Sequence, residues 1–253
     1  MYIDALKLSF VIYGAPFEQG SACLGLCSKT HVVLCALKRS PHELASFQKK
    51  LLKIDEHMGI AIAGLNADAR MLAKFMRTEC LNHRYVYGTV LQAGRLVEDV
   101  ADKHQRCTQQ YIRRPYGVGM LVGAVDSTGP HLYETSPTGD YFEYCAMAIG
   151  ARAQSGKTYL EKHMTSFPDA SDTDLIKHGI KALAGCVQSD KTLEASNTSI
   201  VIIGPDEKYT TIEDAAVQPY LDAIEAEGGS LAPAATENDG TEEKDGDGDN
   251  VMA

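Results

Sequence analysis

The stretch VGMLVGAVDSTGPHLYETSPTGDYFEYCAMAIGARAQSGKT, Val118 to Thr158, decides the fold. It ends on a run that imitates a phosphate loop: Gly150, then Gly156-Lys157-Thr158, behind the apolar segment Cys145–Ile149. A true phosphate loop would put the preceding strand in a βαβ unit and make the sheet parallel. The spacing opposes this. The motif needs a glycine, four residues, then Gly-Lys-Ser/Thr; Ala151 stands where the first glycine belongs, and Gly150 is one position early. That glycine is required for its backbone freedom, which alanine lacks. The residues upstream read as antiparallel structure instead. Pro115 stops a helix, Val118–Val125 is a strand, and Gly129–Gly150 is a hairpin turning at Pro137-Thr138-Gly139-Asp140. Gln154–Met164 is helical. Gly150–Thr158 is then a strand-to-helix turn, and Lys157 a surface lysine.

The same grammar holds to either side. Ala22–Arg39 reads as two strands around a turn at Ser28-Lys29-Thr30, with β-branched Val32 and Val33. Met58–Leu65 is a buried strand. From Asn66, an expected N-cap, the period becomes helical, and Ala69, Leu72, Ala73, Met76 and Cys80 share one face. A second helix follows over Leu91–Tyr111, with Leu96, Val100 and His104 at helical spacing and Gly94 weakening its first turn. Downstream, Ser171 with Asp174 opens another helix through a capping box. Asn197–Asp214 is a hairpin around Pro205-Asp206-Glu207, and a short helix ends the ordered part. Tight turns join the strands and the helices come in pairs. This predicts an α+β fold, two packed and mainly antiparallel sheets flanked by helix layers, rather than a doubly wound sheet.

Composition narrows the function. The chain has 253 residues and a formal net charge of -10. Seven acids and Lys244 after Ala232 carry -6 of that, which leaves a mildly acidic body. Such a body argues against a nucleic-acid surface. The seven cysteines contain no Cys-x-x-Cys pair and read as free thiols of a reducing compartment. No apolar run is long enough for a membrane span, and Leu8–Tyr13 is too short and too weakly basic for a secretory signal. From Gly229 onward the chain is rich in glycine and acids without apolar period, so 229–253 is expected to be a disordered acidic tail.

Motifs of chemistry are sparse. Asp245–Asn250 imitates a calcium loop but has Asn250 where the turn glycine should be, and no glutamate closes it. The eight histidines form no His-x-x-x-His pair with a nearby acid, so no metal site is expected. No cofactor motif and no Gly-x-Ser-x-Gly elbow are present. Ser21, after Gly20 and before the first strand, is the one provocative residue. Freed at a new N-terminus, it would have its own α-amine as base. It equally reads as a plain Gly-Ser lead into a strand, and spacing alone does not separate the two.

Several segments together resemble one family. SKTHVVLCALKR, IAGLNADARML, RRPYGVG with Gly-Pro-His and IGARAQS downstream, and TIEDAAVQPYL are similar to alpha subunits of the 20S proteasome, in register from Gly20 to Leu221. The resemblance implies a four-layer α/β/β/α sandwich, the N-terminal-nucleophile hydrolase fold, in agreement with the layer order above. It implies a non-catalytic subunit of the heptameric outer ring, which gates substrate entry for ubiquitin-dependent degradation in cytoplasm and nucleus. The implied partners are neighbouring alpha subunits, beta subunits and regulatory-particle ATPases or other activators, with no nucleic acid and no membrane. In the catalytic beta type, an N-terminal threonine is supported by an acid and a lysine. The matching positions here are Ser21, Leu37 and Lys50. Leucine can neither hold the lysine's charge nor accept a hydrogen bond, so no active site is expected. The alternative is an active hydrolase using Ser21 after cleavage at Gly20.

By the same resemblance, Lys50 binds the C-terminal carboxylate of an activator tail in a pocket between subunits, and Gly64 lies beside it. From the residues alone, Lys50 is equally a surface lysine in the basic run Lys49, Lys50, Lys53. The family's gate segment is replaced by MYIDALKLSFVIYGAPFEQ over residues 1–19, and only Gln19 and Gly20 rejoin the pattern. Either the usual gate helix is missing or the first exon is misassigned; the abrupt return of the match favours the second. The expected organisation is thus an atypical segment 1–19, an alpha-subunit domain 20–228 and the tail 229–253.

Overall fold

The computed structural model describes residues 20–227, apart from 41, 43, 189–191, 206 and 207. The segment 1–19, the tail 229–253 and most of the turn expected at Pro205-Asp206-Glu207 lie outside the described residues. The strands are β1 (Cys23–Cys27), β2 (Val32–Leu37), β3 (Leu51–Asp55), β4 (Met58–Gly64), β5 (Val118–Asp126), β6 (Gly129–Thr135), β7 (Tyr141–Glu143), β8 (Ala146–Ile149), β9 (Thr198–Ile203) and β10 (Thr210–Glu213). The helices are α1 (Asn66–Tyr87), α2 (Ala93–Gln109), α3 (Ala153–His163), α4 (Asp172–Ala184) and α5 (Gln218–Ala226).

Two five-stranded sheets form. One runs β10-β9-β2-β1-β8; the other keeps chain order, β3-β4-β5-β6-β7. Every pairing is antiparallel. The expected first hairpin closes at Ser28, whose amide donates to the His31 carbonyl at 2.8 Å and whose hydroxyl accepts from the His31 amide at 2.9 Å. Period-2 alternation sorts its side chains. Leu24 and Leu26 face helices, whereas Cys23 faces the other sheet.

Three apolar layers result. Leu160, Ile176, Ile180, Leu183 and Leu221 of α3, α4 and α5 pack on the first sheet. Leu72, Met76, Leu96 and Val100 of α1 and α2 pack on the second. Leu34, Ala61, Leu121, Leu132 and Val201 fill the space between sheets. The four-layer α/β/β/α order is therefore observed, and burial of these side chains supplies its main driving force.

Four expectations need correction. Asn66 is the first helical residue, not the cap; Leu65 holds the N-cap position and no side chain caps the helix. The second helix stops at Gln109, well before Pro115. Leu51–Asp55, read only as part of a basic run, is an edge strand: the alternation of Leu51 and Ile54 with half-exposed neighbours is irregular, because a bulge lies between Lys53 and Asp55. Finally, Tyr141–Ile149 is not one strand of a hairpin. The Tyr144 amide donates to the Leu132 carbonyl in the second sheet, and the Cys145 carbonyl accepts from Cys27 in the first, both at 2.8 Å. The chain changes sheets between two consecutive residues, which turn statistics do not signal.

The run Gly150–Thr158 is a strand-to-helix turn, as its spacing predicts. Arg152 precedes α3 in left-handed conformation, φ 59°. Gly156 sits inside the helix, where a Cβ would lie 2.8 Å from the Cys186 sulfur. Its small size serves helix packing on α4's end rather than a phosphate.

Candidate functional site

The loops and strand ends around Ser21 bring together residues far apart in sequence. Ser21 leads into β1, and Leu37 ends the neighbouring β2. The Ser21 hydroxyl donates to the Leu37 carbonyl at 2.9 Å. Lys50, just before β3, donates through Nζ to the Ser21 carbonyl at 2.9 Å and to the Ile62 carbonyl at 3.3 Å. The residues aligned by resemblance with nucleophile, acid and lysine thus do form one cluster. Its chemistry is that of backbone satisfaction. The Leu37 side chain packs at the edge of the helix-side core, so no carboxylate stands between hydroxyl and ammonium.

Lys50 is 4% exposed. A surface lysine would snorkel into water; this one is spent on two backbone carbonyls, and that of Ile62 also accepts from the Cys23 thiol at 3.2 Å. Those bonds use two of the three ammonium protons. Burial pushes the neighbouring Cys23 thiol up, with the Lys50 charge opposing.

Gly64 stands close by. Its φ of +118° is a conformation that side chains rarely adopt, and a Cβ there would meet the Gly117 carbonyl oxygen at 2.3 Å. The need for glycine at 64 is therefore set inside this chain, by the approach of the Gly117 backbone. Leu65 secures the approach, donating to the same carbonyl at 2.8 Å.

A cleft of about 550 Å³ opens beside Ser21, between the ends of β1 and β2 and the loops near α3 and α4. Leu37, Phe47, Arg39, Arg152 and Val187 line it, and neither Lys50 nor Gly64 does. The sequence does not reveal this cleft. Its walls come from four separate segments, and the only hint is Arg152 within the false phosphate loop. That arginine reaches across to donate to the Val187 carbonyl at 2.8 Å.

The RRPYGVG segment is fixed from α1. Asp68, buried in the first helical turn, accepts two bonds from Arg114 and one from the Gly117 amide at 3.0 Å. The Arg114 guanidinium, with that amide, holds the Asp68 carboxyl below its usual range despite burial. Among the described residues, no group of three or more His, Cys, Asp or Glu is arranged to hold a metal ion, and no helix is long and apolar enough to cross a membrane.

Comparison with known proteins agrees with this geometry. Residues 17–203 match the proteasome subunit family. The chain is 50% identical to proteasome subunit alpha type-1 of Dictyostelium discoideum over 83% of its length and 85% of that protein's. It is 46% identical to the probable proteasome subunit alpha type-6 of Schizosaccharomyces pombe, over 86% of this chain and 80% of that one. Identity to the alpha type-1 subunit of Trypanosoma brucei rhodesiense is 40%, over 88% and 84% respectively. Matches of this extent, on a four-layer sandwich with Ser21, Leu37 and Lys50 converging, mean that the chain belongs to the proteasome subunit family.

Proposed function

We propose that this chain is a non-catalytic subunit of the alpha ring of the 20S proteasome core, one that helps gate substrate entry to the proteolytic chamber and docks activators. The observation that carries the non-catalytic reading is the Ser21 cluster. A hydroxyl nucleophile needs a base within hydrogen-bond reach. Here the Ser21 hydroxyl donates to a backbone carbonyl, which cannot take its proton, and position 37 carries no carboxylate. In the chain as described, the Ser21 nitrogen is also tied in a peptide bond to Gly20 and is no base.

Membership of the family brings association with other proteasome subunits. To this we add finer partners, regulatory-particle ATPases above and beta subunits below, and a place in cytoplasm and nucleus. For Lys50 we assign the carboxylate of an activator tail, with Gly64 at the margin of the same site. The remaining ammonium proton supports this: a carboxylate arriving from a neighbouring surface would complete the coordination of a charge already held in place.

Intact-mass measurement on the chain purified from assembled proteasome tests the first reading. An uncut chain supports a structural role, and a chain beginning at Ser21 would establish the hydrolase alternative. For the second, Lys50→Ala should weaken binding of a synthetic peptide ending in an activator's C-terminal carboxylate, with peptidase activity retained. Unchanged affinity would remove Lys50 from the site.

A further inference from the structure

Cys27 closes β1, and Cys145 stands immediately before β8. These strands pair from Cys23↔Ile149 to Leu26↔Ala146. One further step of the register sets Cys27 opposite Cys145, and the Cys27 amide does donate to the Cys145 carbonyl at 2.8 Å. Residues opposed across an antiparallel pair send their side chains to the same face, with Cα atoms about 4.5–5.5 Å apart. Disulfides most often span a Cα separation of about 5.5–6 Å. The faces agree along both strands. Cys23 and Ile149 lie between the sheets, and Cys27 and Met147 pack at the margin of that layer. Cys145 itself lies at a bend outside the regular strand, so its backbone has room to adjust. Cys145 is exposed and Cys27 half-buried, whereas the other five cysteines are buried. An oxidant arriving from water meets Cys145 first, and Cys27, whose thiol donates to the Ser28 carbonyl at 3.4 Å, stands on the opposing strand.

We propose that Cys27 and Cys145 are a thiol-modification site, converted by hydrogen peroxide into a reversible disulfide across the end of β1 and β8. Peroxide oxidises the Cys145 thiol to a sulfenic acid and its other oxygen leaves as water. The Cys27 sulfur then attacks the Cys145 sulfur. An S–S bond forms, the S–O bond breaks, and the hydroxyl departs with the Cys27 proton as a second water. Two thiols are oxidised and one peroxide is reduced to two waters. Burial pushes the Cys27 thiol up to about 12, with the Glu143 and Cys145 charges adding to it. The attacking thiolate is therefore scarce at neutral pH, and closure speeds up as the solution becomes alkaline.

The test uses the purified full-length chain, treated with millimolar hydrogen peroxide, quenched by alkylation in denaturant, and mapped without reduction. A Cys27–Cys145 peptide pair is expected, lighter by two hydrogens than its reduced halves and separated by dithiothreitol. The chain should stay monomeric on a non-reducing gel, and the linked fraction should rise from neutral to mildly alkaline pH. Cys145→Ser should abolish the pair. The proposal is overturned if both thiols remain alkylatable, if Cys145 runs on to sulfinic acid while Cys27 stays free, or if the link joins two chains. The map of the unmodified sequence decides between these outcomes without the variant.

Discussion

Arg114 grips Asp68 with both terminal guanidinium nitrogens, at 2.7 and 2.8 Å, and the Gly117 amide completes the carboxylate's shell at 3.0 Å. This clamp joins the first turn of α1 to the loop that feeds β5. The Asp68 side chain is buried while 55% of the Arg114 side chain is exposed, so loss of the two partners is unequal. Asp68→Ala leaves a buried amide unpaired and should cost roughly 2 kcal/mol, whereas Arg114→Ala should cost less because water can reach the carboxylate's outer side. Urea unfolding of both variants against the parent checks the order.

Acid should destabilise the fold in two steps. Burial holds His104 below the ordinary histidine range, opposed by its bond to the Ser136 carbonyl and the Asp68 charge. Burial also lowers His178, helped by the His163 and Lys181 charges. For a group lowered in the folded state, the unfolded chain binds the proton first. Stability is therefore complete well above about 6.5 and falls as pH drops through the unfolded value, by at most about 1.4 kcal/mol per pH unit for each histidine. Asp68 is lowered too, and its contribution is lost further down, below about 3.9. Unfolding free energies measured from neutral to strongly acidic pH should show both declines, and His104→Gln should flatten the first more than the second.

Gly64→Ala should destabilise by at least about 2 kcal/mol, because it combines a conformation disfavoured for side chains with a contact on the Gly117 backbone that cannot move aside. Thermal melting of the isolated chain measures this without any activator. A variant as stable as the parent would show that the Gly117 loop yields.

Gly156 and Lys157 should separate cleanly. Gly156→Val forces a branched side chain against the Cys186 sulfur and should cost about 1–3 kcal/mol. Lys157→Ala should stay within about 0.5 kcal/mol. ATP should raise the melting temperature of neither variant nor of the parent; protection of the parent lost in Lys157→Ala would revive the phosphate loop.

The sequence carried most of the fold through its periodicities. The helical faces of Ala69–Cys80 and Leu96–His104 and the hairpin at Ser28–Thr30 were legible because each is decided by neighbours within a few residues. The sheet switch at Tyr144–Cys145 was not, since the two hydrogen bonds that define it go to Leu132 and Cys27, distant in the chain. The edge strand before Met58 was hidden by lysines that read as a charged surface. At the site, resemblance placed Ser21, Leu37 and Lys50 together, but no local pattern reveals that Lys50 is buried on backbone carbonyls or that Gly64 is forced by Gly117.

The order in which the two sheets are threaded has a consequence for synthesis. Residues 51–143 supply one sheet without interruption, but the other is split between β1–β2 and the strands after Ala146. On the ribosome the β1–β2 hairpin emerges before its sheet partners, with both edges bare. Its flanking partners, β8 and β9, are not made until Ile149 and Ile203, while the meander β3–β7 can already close on α1 and α2. A nascent chain stalled a tunnel's length after Glu143 should therefore protect β3–β7 from protease and leave β1–β2 open to cleavage. Until those partners are made, the bare edges of β1 and β2 are where unwanted pairing would begin.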